Sequence, residues 1–189
     1  MKKVAFHNLG CKVNAYEMEL MQQKFSENGY EIVPFTEKAD IYIINTCTVT
    51  NIADRKSRQM LHRAKALSPD AIVVAAGCYV ETDREGALAD DAIDILVSNK
   101  EKADIVRIVE AYETGDGSSS HFASGHPIVS ALNQSETRNR PLFHTRAFIK
   151  IQDGCDQYCS YCIIPMARGH VVSRPEEETL KEIGDLAAA

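Results

Sequence analysis

Residues 41–75 read IYIINTCTVTNIADRKSRQMLHRAKALSPDAIVVA, and this stretch decides the fold. A β-rich run, Ile41 to Asn45, is followed by a helical pattern from about Asn51 to Leu67 and by a second β-rich run, Ile72 to Ala75. In the helix Met60, Leu61, Ala64 and Leu67 share one side, and Pro69 stands just past its end. Strand, long helix, strand is the order of a parallel pair joined by a crossover.

Working outward, the same alternation continues. Further strands are expected at Val4 to Phe6, Tyr30 to Val33 and Ile93 to Val97. Met18, Met21 and Phe25 recur with helical spacing before a closing Gly29, and Ile105, Ile108, Val109 and Tyr112 mark another helix. Residues 1–112 therefore predict an α/β domain, a parallel sheet flanked by helices. A core of that size needs neither metal nor disulfide to fold.

From residue 113 to 144 periodicity stops, and Gly115, Gly117, Ser118 to Ser120, Gly125 and Pro127 read as a linker. Gly115-Asp116-Gly117 fits linker composition better than phosphate binding. Residues 145–189 predict one β-loop-α unit: a strand at Ala147 to Ile151, a cysteine loop, and a helix opening near Pro175. That helix is expected to bury Leu180 and Ile183, yet no sheet follows for it to cover, so the unit reads as the truncated start of a second domain.

The chain carries 21 Lys and Arg against 27 Asp and Glu, a formal charge of -6, which offers no general attraction to nucleic acid or an anionic membrane. The longest nearly uninterrupted apolar stretch, Ala71 to Val80, is about half of the roughly 20 residues a spanning helix needs. Lys2 and Lys3 do not open a signal peptide, because His7 and Asn8 interrupt the apolar run. A cytoplasmic protein without membrane contact is expected, and in that compartment six cysteines are metal ligands or catalytic groups sooner than disulfides.

Cys155, Cys159 and Cys162 form C-x3-C-x2-C, close enough for three thiolates to grip one metal centre. A cubane [4Fe-4S] cluster can be held this way with one iron left free, whereas zinc prefers four ligands and would recruit His170. Between these cysteines stand Tyr158 and Tyr161, either as packing or with a ring covering an adenine bound beside the cluster. Cys11, Cys47 and Cys78 each follow a predicted strand, and in a parallel sheet those ends lie together, where ligands of open α/β folds gather. Three small buried residues would account for them as well. Their loop positions, and the glycines in Gly10-Cys11 and Gly77-Cys78 that allow close approach of a bulky ligand, favour a site.

C-x3-C-x2-C after a strand resembles the radical S-adenosylmethionine (SAM) enzymes, and the three upstream cysteines resemble their methylthiotransferase branch. Leu9-Gly10-Cys11-Lys12-Val13-Asn14 with Glu17, Ile44-Asn45-Thr46-Cys47-Thr48-Val49-Thr50-Asn51, Lys56-Ser57-Arg58-Gln59 and Gly77-Cys78-Tyr79 resemble the MtaB type, which acts on threonylcarbamoyladenosine in tRNA. Sister branches act on isopentenyladenosine in tRNA or on an aspartate of a ribosomal protein. Pro165, Arg168, Gly169, Ser173 and Arg174 fit the family pattern, while Met166 and Val172 depart from an expected aromatic residue and arginine.

The resemblance implies an N-terminal methylthiotransferase domain followed by the start of a radical SAM (β/α) barrel. It implies two [4Fe-4S] clusters, one on Cys155, Cys159 and Cys162 that binds S-adenosyl-L-methionine, with Tyr161 beside it, and an auxiliary one on Cys11, Cys47 and Cys78. No side chain is assigned a catalytic role, since the cysteines hold and the cofactors react. The implied reaction inserts a methylthio group at C2 of the modified tRNA adenosine, with an electron donor as a further partner; residues 145–189 alone are too few to enclose the cofactor, so this stretch by itself is expected to be inactive.

Arg55, Lys56, Arg58, Arg63 and Lys65 enrich the helix after Cys47, as phosphate contacts or as a solvated face. The histidines, His7, His62 and His144 among them, show no ligand spacing of their own. The rival from another class is a non-catalytic zinc-binding adaptor stapled by Cys155, Cys159, Cys162 and His170.

Overall fold

The computed structural model describes residues 1–115 and 147–188. Five parallel strands form one sheet: β1 (Lys3–Asn8), β2 (Glu31–Val33), β3 (Ile41–Thr46), β4 (Ile72–Gly77) and β5 (Ile95–Val97), in the order β2-β1-β3-β4-β5. Between them run α1 (Lys12–Glu27), α2 (Asn51–Leu67) and two short helices, α3 (Cys78–Thr82) and α4 (Arg84–Leu88), with α5 (Ile105–Glu113) after β5.

Side-chain alternation along the strands builds two apolar layers. On one face Ile41 and Ile43 of β3 meet Met18, Met21 and Phe25 of α1 and Ile105, Ile108 and Val109 of α5. On the other, Tyr42 and Ile44 meet Leu61 and Ala64 of α2 and Tyr79 and Val80 of α3. Thr50 caps α2, its hydroxyl accepting the Ala53 N–H at 3.1 Å.

The expected parallel α/β domain is present, and α2 has the predicted bounds. The expected linker lies, beyond residue 115, outside the described residues, as does His144. Three expectations are corrected. The strand predicted at Ala147 to Ile151 is not one: the chain pairs only at β6 (Gln152–Asp153), antiparallel to β7 (Val172–Ser173), so a two-stranded ribbon closes the cysteine loop.

Within that loop lies a helix the sequence did not suggest, α6 (Ile164–Arg168). In α7 (Glu176–Ala188) Leu180 and Ile183 are exposed, and the fully buried side chain is Glu182, because the helix docks through an ion pair with Arg174 and a hydrogen bond from Tyr16. Finally, the space beside Gly10 and Gly77 is filled by the protein itself. A Cβ at Gly10 would meet Asn14 Cγ at 2.3 Å, and one at Gly77, where φ is +101°, would meet the Thr46 carbonyl at 2.6 Å.

Candidate metal centre

Strand order β2-β1-β3 reverses direction between β1 and β3, the switch point where open α/β sheets leave a crevice beyond their C-terminal ends. Cys11 follows β1, Cys47 follows β3, and Cys78 follows β4, the next strand along. Three cysteines scattered over the first 78 residues thus stand at the same edge of three adjacent strands.

Each is held by its backbone. Cys11 is the N-terminal cap residue of α1 and is exposed; its thiol donates to Asn14 Oδ1 at 3.4 Å. Cys47 is buried, its N–H donating to the hydroxyl of fully buried Ser57 on α2, which donates back to the Cys47 carbonyl at 3.3 Å. Cys78, also buried, opens α3, and the Thr82 hydroxyl donates to its carbonyl at 3.1 Å. Beneath them two buried asparagines interlock: Asn45 Nδ2 donates to the Asn14 carbonyl at 2.8 Å, and Asn14 Nδ2 to the Thr46 carbonyl at 3.0 Å.

Burial pushes the Cys78 thiol up, and Cys47 pushes it the same way, while Arg168, Lys102 and the Asn99 amide oppose the rise. Two of those opposing groups belong to one ion network. Glu17 of α1 accepts from Lys102 at 2.6 Å, from Lys150 at 2.8 Å and from Arg168 at 2.9 Å. Asp153 accepts from Lys150 at 2.7 Å and Arg168 at 2.8 Å. Burial alone would raise the Glu17 carboxyl; Lys102, Arg168 and Lys150 together outweigh it and hold the group well below the usual carboxylate range.

The second set lies in the loop between β6 and β7. Cys155 N–H donates to the Gly169 carbonyl at 3.0 Å, and Cys162 N–H to the Cys159 carbonyl at 2.9 Å, which folds the C-x3-C-x2-C segment into a compact turn. Gly154 (φ +75°) allows this: a Cβ there would strike the His170 carbonyl at 2.1 Å. Tyr158 takes a positive φ of 46°, unusual for a side chain of that size. Tyr161 is 92% exposed and Tyr158 58%, so the packing reading for this pair is overturned: Tyr161 lies in solvent next to Cys162.

His170 pairs with Asp156 at 2.7 Å and is exposed. Met166 and Val172, the departures from the family pattern, are exposed as well. Of the α2 cations, Lys65 bonds Asp94 at 2.7 Å and Arg58 lies over the Tyr79 ring, while Arg55, Lys56 and Arg63 are exposed.

Among the described residues, no three His, Cys, Asp or Glu side chains stand close enough to hold one metal ion. The donor chemistry nevertheless fits an iron–sulfur cluster. Each cysteine of a cubane binds a different iron, so its thiols stand farther apart than those around a single ion, and thiolate is the ligand such clusters take. Local pattern had no signal for Lys102, Asn99, Lys150 or Asp153: apart from the Lys150–Asp153 pair three positions apart, their partners are remote in the chain, Lys102 and Glu17 by 85 positions and Lys150 and Glu17 by 133.

Residues 3–106 match a family model described as "Uncharacterized protein family UPF0004". Over 196 residues the chain is 40% identical to the threonylcarbamoyladenosine tRNA methylthiotransferase MtaB of Bacillus subtilis (strain 168), covering 100% of this chain and 42% of that protein. It is 38% identical to the enzyme of the same name from Aquifex aeolicus (strain VF5), covering 98% and 45%. To the ribosomal protein uS12 methylthiotransferase RimO of Wolinella succinogenes it is 34% identical, covering 99% and 40%. The chain spans less than half the length of these relatives. No described helix is long and apolar enough to cross a membrane.

Proposed function

This chain belongs to the UPF0004 family, and from that premise we propose that it is part of a cytoplasmic tRNA-modifying methylthiotransferase that places a methylthio group on C2 of N6-threonylcarbamoyladenosine. One observation carries the proposal: Cys11, Cys47 and Cys78 follow three adjacent parallel strands, two of them flanking the switch point. The tRNA substrate is favoured over the ribosomal-protein alternative by the higher identity to the relatives named for it, 40% and 38% against 34%.

In this reading Cys11, Cys47 and Cys78 hold one [4Fe-4S] cluster in residues 1–112. Cys155, Cys159 and Cys162 hold another in residues 145–189, which begin a radical SAM domain, with residues 113–144 linking the two. When bound, these groups and S-adenosyl-L-methionine supply the one-electron chemistry and the sulfur, and an electron donor completes the set.

The chain's own residues bind, orient and exclude water. Burial of Cys47 and Cys78 keeps solvent from the inner side of the first site. Ser57 and Thr82 fix the backbone that aims those thiols. Burial pushes the Cys78 thiol up, and the positive charge of Arg168 and Lys102 opposes part of that rise. Exposed Tyr161 is free to close over an adenine ring.

Anaerobic reconstitution followed by iron and sulfide counting tests the proposal, with each cysteine set replaced by alanine in turn. Removing either set should cost about half of the iron and sulfide. Zinc in place of iron on Cys155, Cys159 and Cys162, or content unchanged after loss of Cys11, Cys47 and Cys78, defeats it. Nucleoside mass analysis of tRNA treated with the full-length protein then separates the threonylcarbamoyl substrate from the isopentenyl one.

A further inference from the structure

Arg168 stands six positions after Cys162, yet its hydrogen bonds reach back to the neighbourhood of the first cysteine set. Its side chain is 5% exposed. Nη1 donates to Glu17 Oε1 at 2.9 Å and to Asp153 Oδ1 at 2.8 Å; Nη2 donates to Asn14 Oδ1 at 2.8 Å and to Glu17 Oε2 at 3.3 Å. Asn14 Oδ1 is also the acceptor of the Cys11 thiol. One residue before Arg168, the Ala167 carbonyl accepts from Asn99 Nδ2 at 2.8 Å, and α6 packs on α3, the helix that opens with Cys78.

We propose that Arg168 is a positioning residue that docks the second cysteine loop on α1 and so sets its place relative to Cys11 and Cys78. The inference rests on the two-site reading above, in which Cys155, Cys159 and Cys162 hold one cluster and Cys11, Cys47 and Cys78 the other. A planar guanidinium suits this task, because its fixed fork satisfies three separate acceptors, Glu17, Asp153 and Asn14, only in one orientation. The network also holds three cations, Lys102, Lys150 and Arg168, against two carboxylates, Glu17 and Asp153. A second contact steadies the same segment: Arg174 donates to the Tyr16 hydroxyl of α1 at 3.2 Å and pairs with buried Glu182.

Nitroxide amino acids placed at exposed Ile52 on α2 and exposed Met166 on α6 read the geometry by double electron–electron resonance, and hydrogen exchange reads the two parts separately. The label distance in the unsubstituted chain should be single and narrow. In Arg168→Met it should broaden, with amide exchange across residues 152–174 faster by about a hundredfold. Amides of β1, β3 and β4 should keep their rates.

An unchanged distance distribution, or a loosening of the sheet as large as that of the loop, overturns the inference. If Arg168→Met fails to fold, Arg168→Lys takes its place: it keeps the charge but lacks the fork, so the distribution should still broaden, and a narrow one defeats the proposal. Neither readout needs a bound cluster. Iron and sulfide counts on the same preparations therefore report on the methylthiotransferase reading alone.

Discussion

Glu17 and Arg168 are 151 positions apart in the chain and meet through two hydrogen bonds, Nη1 to Oε1 at 2.9 Å and Nη2 to Oε2 at 3.3 Å. Both side chains are almost fully removed from solvent, at 8% and 5% exposure. Such a pair repays its desolvation only when the remaining polar atoms are also satisfied, and here Lys102, Lys150, Asp153 and Asn14 satisfy them. The pair fastens the segment around the second cysteine loop to the helix that begins at the first cysteine.

That arrangement sets an acid response. A carboxylate held below its ordinary value, 4.5 here, stabilises the fold fully above that value and loses the contribution as pH falls toward the depressed one. Glu17→Gln should cost roughly 3–5 kcal/mol at neutral pH, since it strands buried cations. The gap in urea midpoint between the two proteins should narrow from about pH 4.5 downward. A gap that is constant with pH would show that the Glu17 charge contributes nothing to folding.

Gly77 is required by two independent demands, a positive φ of +101° and a carbonyl 2.6 Å from where a Cβ would stand. Gly29 shares only the first, with φ +82° and nothing within 4 Å. Gly29→Ala should therefore cost about 1–2 kcal/mol and Gly77→Ala clearly more, because backbone must shift as well. Equal denaturation midpoints for the two variants would contradict the packing of β4 against β3.

On α7 the charged residue, not the apolar ones, secures the helix. Leu180→Ser and Ile183→Ser should each fall within about 0.5 kcal/mol of the parent. Glu182→Ala leaves Arg174 without its buried partner and should cost about 3–5 kcal/mol of local stability. Amide exchange of residues 176–188 measures all three, and a larger effect from Ile183 than from Glu182 would reverse this account.

His170 separates the iron–sulfur reading from the zinc adaptor. Its ring lies on Asp156, and both proposed cluster sites are made of thiols alone. His170→Ala should leave reconstituted iron and sulfide per chain unaltered. Loss of bound metal in that variant would make His170 a ligand and favour zinc.

Hydrophobic patterning is local, and what it governs is legible in the sequence. Helix α2 ends where Pro69 and the last apolar turn place its end, and the buried runs Ile41 to Asn45 and Ile72 to Ala75 are central strands. Legible too was the shared edge of Cys11, Cys47 and Cys78, because strand ends in a parallel sheet point one way. The strand expected at 147–151 was not found, since two residues of antiparallel pairing leave almost no periodic trace. Leu180 and Ile183 misled for a related reason: apolar spacing cannot tell an exposed helix face from a buried one when docking runs through Glu182.

From composition and spacing come the α/β class, the positions of the central strands, and the placing of Cys11, Cys47 and Cys78 after strands and of Cys155, Cys159 and Cys162 in one loop. Only the tertiary structure decided that Arg168, Lys102 and Lys150 converge on Glu17 and tie one set to the other. The physical reason is range. Backbone propensity and apolar periodicity act over a few residues, whereas ion pairing depends on distance in space, which exists only once the sheet has brought remote segments together.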